Sequence, residues 1–265
     1  MSGEGGPAAR RDVLPYGDRV NLVSSDDPFK WLVAGWRDFR KSGLVSIAYG
    51  LIFAIAGLML TAGLYLAGLA YLIAPMTAGF LLVGPALTVG LYAISRDLEA
   101  GRRPSLARAL TAWQANPARL LGLGLTLVLF LIVWIRLAVL TFAVSFPYET
   151  LSMEEIVTAA LFTTQGNIFL LIGTVIGAVM ATIAFVASVV ALPMLLDANV
   201  GILQALVTSV VTVVMNARVM ALWAALIVIF TAAGLLTAYI GLAVSLPLIG
   251  HASWHAYRAL IRPAA

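Results

Sequence analysis

Two histidines four residues apart, His251 and His255, are the residues of this chain whose types and spacing come closest to chemistry. On a helix they share one face, and two imidazoles on one face can ligate a metal or a haem iron. A metal site recruits further ligands. The chain has 2 His and 0 Cys in all, so a carboxylate such as Asp97 or Asp197 would have to complete the set. The surrounding string, Gly250-His-Ala-Ser-Trp-His-Ala-Tyr-Arg258, also holds Trp254 and Tyr257. Aromatic residues of this kind gather at headgroup depth, so an interfacial belt is the expected role. No cofactor and no metal is expected, and His251 and His255 are the only haem or metal candidates.

Arg136 is the second residue of interest. It is the one charge well inside an apolar stretch, and a charge there costs several kcal/mol unless it is paired, hydrated or snorkelled. Its place late in that stretch puts it near the outer surface, within reach of headgroups or of Glu149, Glu154 and Glu155, so snorkelling or a structural ion pair is expected ahead of a substrate or proton pathway. Asp197 is read as a helix cap before a proton-handling group. No phosphate-binding loop, nucleophile elbow, zinc-protease pair or dinucleotide fingerprint is present, so no catalytic residue and no enzymatic activity is expected.

The elements that must position these residues are helices in a bilayer. Hydrophobic residues make up 62% of the chain, charged residues 11%, and mean hydropathy is +1.02. Continuous apolar runs of about 20 residues or more cross a membrane as helices, because backbone polar groups in lipid must bond internally. The reading is an all-α polytopic bundle with six spans at about 44–73, 76–95, 119–145, 168–194, 219–236 and 238–260. A tight reversal is placed at Pro75, and a hairpin near Gly234 to Tyr239 separates the last two spans. Residues 1–24 read as a flexible tail without a cleaved signal peptide, and 25–262 as one integral membrane domain. Of the 16 Lys and Arg, all but Arg136 fall in segments that six crossings would place on one side. By the positive-inside rule both termini are cytoplasmic, and the net charge of +4 reflects anionic lipid, not nucleic acid.

Before each odd-numbered span lies an amphipathic stretch ending in Asn or Asp with a following Arg, as in Asp38 and Arg40, Asn116 and Arg119, Asn216 and Arg218. Each even-numbered span carries a proline: Pro85, Pro193 and Pro247. This suggests three copies of an interfacial helix plus a transmembrane hairpin. The first interfacial helix has Asp27 as N-cap and Pro28 at its first position, with Phe29, Leu32, Val33, Trp36 and Phe39 at helical spacing. The interfacial anchors expected are Phe29, Trp31, Trp36, Arg37, Arg40, Lys41, Trp113, Trp254 and Tyr257, held at the bilayer surface and its anionic headgroups. Gly63 with Ala67, and Gly173 with Gly177, each place two small residues on one helix face for close packing.

The strings Gly35-Trp-Arg-Asp-Phe-Arg40, Gly79-Phe-Leu-Leu-Val-Gly-Pro85, Arg96-Asp-Leu-Glu-Ala-Gly101 and Gly250 to Arg258 together resemble a bacterial family of six-span integral membrane proteins of unknown function, over roughly residues 28–262. Its members sometimes carry the label of cytochrome c oxidase subunit. The resemblance implies a multi-pass protein of the bacterial inner membrane but brings no reaction. A catalytic haem-copper subunit needs about six His, so a chain with 2 is not one. Two functions are expected from the residues: a noncatalytic accessory or assembly protein packed against a larger membrane complex, respiratory or otherwise energy-transducing, or a small transporter or permease using Arg136 and the proline-interrupted spans.

Overall fold

The computed structural model describes residues 14–146 and 153–262, and among these it is helical, with a single isolated bridge between Val20 and Ile261. Helix α1 (Asp27–Ser42) is the amphipathic helix expected, beginning one residue early: Asp26 is the cap position, and the Asp27 carboxylate accepts from the Ser24 N–H at 2.6 Å. At Gly43 φ is +52°, a conformation that favours residues without a Cβ, and there the chain turns into α2 (Leu44–Leu66). The following reversal spans 67–72 around Gly68, earlier than Pro75. Pro75 instead sits in the first turn of α3 (Ile73–Leu87), where a missing N–H breaks no helical bond.

Pro85 does interrupt its helix. The chain breaks at Thr88, whose hydroxyl donates to the Tyr92 hydroxyl at 2.7 Å and contacts Pro85 O at 2.9 Å, and resumes as α4 (Val89–Glu99). After the short α5 (Leu106–Leu110) comes α6 (Pro117–Ser145), then α7 (Met153–Phe162), α8 (Thr164–Ser188) and α9 (Ala191–Asp197). Next are α10 (Ile202–Met215), α11 (Ala217–Leu236) and α12 (Leu242–Leu260). The last two are joined by a turn in which Ala238 and Tyr239 have φ of 51° and 65°.

Five of these segments are long and apolar enough to cross a bilayer: Leu44–Leu66, Ala70–Glu99, Pro117–Ser145, Thr164–Asp197 and Ala217–Leu236. The last helix of the chain, α12, is not among them, because its C-terminal half carries His251, His255 and Arg258. It is nonetheless the hub of the fold. It packs along α1, α2, α4 and α11, with Leu242, Ala252, Trp254 and Leu260 each at 0% exposure. Close approach explains the glycines: a Cβ on Gly35 would fall 2.6 Å from Ala252 N, and one on Gly50 2.9 Å from Ala243 Cα and O. Of the three glycines expected to pack, Gly63 and Gly173 face open space among the described residues, and only a Cβ on Gly177 would meet a neighbour, the Trp134 ring at 3.1 Å.

Residues 14–24 are not a loose extension of the N-terminus. Asn21 N–H donates to Leu260 O at 2.8 Å, Arg262 N–H donates to Arg19 O at 2.9 Å, and Val20 is fully buried. The expected boundary at residue 24 therefore moves back to at least residue 19; residues 1–13 lie outside the described residues.

Candidate functional site

The helices around α12 bring together a buried polar chain of Ser42, Ser46, His251, Ser95, Asp38 and His255, drawn from α1, α2, α4 and α12. Its members are 0–8% exposed by residue or side chain except His255, whose side chain is 19% exposed. Ser95 Oγ donates to Asp38 Oδ2 at 2.9 Å and lies 2.8 Å from His251 Nδ1. Since the serine proton is committed to the carboxylate, its oxygen is left to accept, and Nδ1 carries the imidazole proton. His251 Nε2 then accepts from Ser46 Oγ at 2.8 Å, and Ser46 lies 2.6 Å from Ser42 Oγ. On the other side His255 Nε2 donates to Asp38 Oδ2 at 2.8 Å.

Asp38 is thus where the donors converge. Burial pushes its pKa up, but the hydrogen bond and charge of His255 and the Ser95 bond outweigh burial and hold the carboxyl below its ordinary value. Chemically the chain can hold a proton and fix four helices against one another. None of its members lines either of the two cavities found between the membrane helices.

Sequence reasoning placed the histidines together correctly but gave them the wrong surroundings. His251 and Trp254 are 0% exposed and Tyr257 is 5%, so they face protein and do not form a headgroup belt. Neither suggested carboxylate joins them. Asp97 binds Arg102 at 2.6 Å and Arg108 at 2.9 Å, while Asp197 accepts from the Tyr257 hydroxyl at 3.0 Å and Arg258 at 3.4 Å, which also corrects its reading as a simple cap. Among the described residues no group of His, Cys, Asp and Glu is placed to hold a metal.

Asp38 was the residue missed. The buried stripe of α1 is Pro28, Trp31, Gly35, Asp38 and Ser42 at spacings of three and four, and a carboxylate on such a stripe demands a partner. Trp31 belongs to that stripe, edge-on to Trp223 with ring centroids 5.5 Å apart, and so is no surface anchor. Phe29, Val33 and Trp36 point the other way, 52%, 69% and 43% exposed, alongside exposed Arg37, Arg40 and Lys41. Trp113 is half-buried against Gly124. Arg136 is exposed on α6 and, among the described residues, enters no ion pair; Glu149 and the side chain of Glu154 lie outside those described.

A helical chain with five crossing-length apolar segments is a multi-pass integral membrane protein. Residues 72–197, from the turn before α3 to the end of α9, match the family described as "Predicted integral membrane protein (DUF2189)", a family of unknown function. Two of the four strings that carried the resemblance, Gly79 to Pro85 and Arg96 to Gly101, fall inside the matched residues. No curated protein and no solved structure matches the chain.

Proposed function

We propose that the protein crosses a bacterial inner membrane six times, with both termini cytoplasmic, and serves as a noncatalytic accessory or assembly component of a larger membrane complex, respiratory or otherwise energy-transducing. The crossing number rests on the Val20–Ile261 bridge. Five crossings would separate residues 20 and 261 by a bilayer, whereas an antiparallel pair holds them in one compartment; α12, about 28 Å long at 1.5 Å per residue, supplies the return. The order of a short helical stretch followed by two long ones recurs in α1 to α4, α5 to α9 and α10 to α12, in support of a threefold unit.

The accessory role is carried by one observation. At the end of α2, Gly63 of the small pair Gly63 and Ala67 has no neighbour among the described residues, on a helix whose flanking Met59 and Leu66 are 70% and 85% exposed. Small residues on an open apolar face let another helix approach closely. The permease alternative draws less support, since Arg136 lines neither cavity and, among the described residues, no charged residue does. Purification of a tagged copy from native-lipid discs should recover a membrane partner in fixed stoichiometry that Gly63→Leu releases. Recovery of the protein alone under several mild extractions would overturn the reading.

A further inference from the structure

Two cavities, of about 650 and 470 Å³, lie between the membrane helices. Both are within the range of about 300–1,000 Å³ typical of small-molecule sites. They meet at Leu81 of α3, Ala178 and Ala181 of α8 and Val228 of α11, which line both, so together they form one cleft. We propose that this cleft binds an uncharged long-chain lipid whose polar part is one or two hydroxyl or carbonyl oxygens.

Among the described residues no Asp, Glu, Lys, Arg or His lines the cleft, which argues for an uncharged occupant, because a charged headgroup drawn in there would be desolvated without a partner. The oxygen requirement comes from two threonines. In a membrane helix a threonine hydroxyl ordinarily donates to the carbonyl one turn back, as Thr141 does to Leu137 O and Thr182 to Ala178 O, both at 2.7 Å, on the walls of this same cleft. Thr174 and Thr231 also line it, and among the described residues neither hydroxyl has a hydrogen-bond partner. Thr231 is only 9% exposed. A hydroxyl in apolar surroundings without a partner is costly, and a ligand oxygen removes that cost.

Each threonine lies about one helical turn from a residue that lines both cavities. Thr174 lies one turn outward from Ala178 on α8, and Thr231 about one turn outward from Val228 on α11, these two helices running in opposite directions past the junction. Thr231, the buried one, faces the smaller cavity and Thr174, which is exposed, faces the larger, so an oxygen-bearing group meets one hydroxyl on either side of the junction while its hydrocarbon follows the apolar cleft. This assignment is independent of whether the protein has a partner complex.

The test uses the full chain in phosphatidylcholine nanodiscs titrated with a dibrominated C18 alcohol, whose bromines quench tryptophan; Trp134 lines the cleft and reports its occupancy. Wild type should show saturable quenching. Thr231→Val, which keeps the shape and removes the hydroxyl, should weaken the apparent affinity about three- to tenfold, the value of one net hydrogen bond. Ala181→Phe should abolish saturation, and Leu129→Phe, on the outward face of α6, should leave it intact. If Ala181→Phe fails to fold, the Thr231 variant decides. Quenching that never saturates, that ignores Thr231→Val, or that dibrominated phosphatidylcholine reproduces equally in both proteins overturns the proposal.

Discussion

Asp38 Oδ2 and His255 Nε2 lie 2.8 Å apart, joining a helix at the start of the chain to the helix that ends it, across 217 residues of sequence. With Ser95 on the same oxygen, the contact closes α1, α4 and α12 into one unit. Its location matters energetically: Asp38 is 6% exposed, so its charge is screened little, and removal of a partner leaves the remainder desolvated.

The acid limb of stability should therefore report Asp38. Its folded pKa lies below its ordinary value, so the folded state binds fewer protons than the unfolded one between the two values. The stabilisation is complete above the unfolded carboxylate pKa of about 3.9 and disappears as pH falls through the depressed folded value. Thermal melts in detergent at falling pH should show wild type losing stability across that window, and Asp38→Asn losing distinctly less. At neutral pH the variant should be about 1–3 kcal/mol less stable, the usual cost of a broken buried hydrogen-bonded group. Parallel acid limbs would remove Asp38 from this role.

Glycine substitutions in one helix should have opposite signs. Alanine at Gly50 would put its Cβ against the backbone of Ala243, which cannot move aside without shifting α12, and overpacking of this kind costs about 1–3 kcal/mol. Alanine at Gly63 meets nothing and should stabilise by about 0.5–1 kcal/mol through helix propensity. Melting temperatures of the two variants check the pair, and equal effects would show that α2 and α12 are not in close contact.

The contrast between these glycines shows what a single sequence carries. The apolar runs, the amphipathic α1, the hairpin before α12 and the i, i+4 pairing of His251 and His255 were all legible, because each is a local pattern. Which small residue touches another helix was not: Gly50 and Gly63 stand in equally apolar company, and only tertiary packing separates them. Aromatic residues next to cations likewise read as interfacial whether they are exposed, as Trp36 is, or face another tryptophan, as Trp31 does. Asp38 was legible only as the Asp that ends the first amphipathic stretch ahead of Arg40, because its partners Ser95 and His255 come from distant helices.

Two buried serines should respond in opposite directions to alanine. Ser95 Oγ serves both Asp38 and His251, so Ser95→Ala leaves two buried polar groups short of a partner and should cost about 2–4 kcal/mol. Ser245 Oγ is buried with no hydrogen-bond partner among the described residues, and Ser245→Ala discards an unsatisfied group and should be neutral or stabilising by up to about 1 kcal/mol. Denaturation of both in the same detergent gives the comparison. A destabilising Ser245→Ala would mean that its hydroxyl has a partner in the membrane.

Arg136 offers the sharpest separation between anchoring and transport. It stands 19 residues beyond Pro117, about 28 Å along α6 at 1.5 Å per residue, which places it at the far edge of a hydrocarbon layer of about 30 Å. An exposed cation there reaches headgroups through its own stem. Arg136→Leu should then leave the melting temperature unchanged or raise it slightly, since no described carboxylate loses a partner. In proteoliposomes loaded with a panel of polar solutes, wild type and variant should leak at the same rate. A solute whose flux depends on Arg136 would instead place the guanidinium on a pathway, and the accessory reading would give way to the permease.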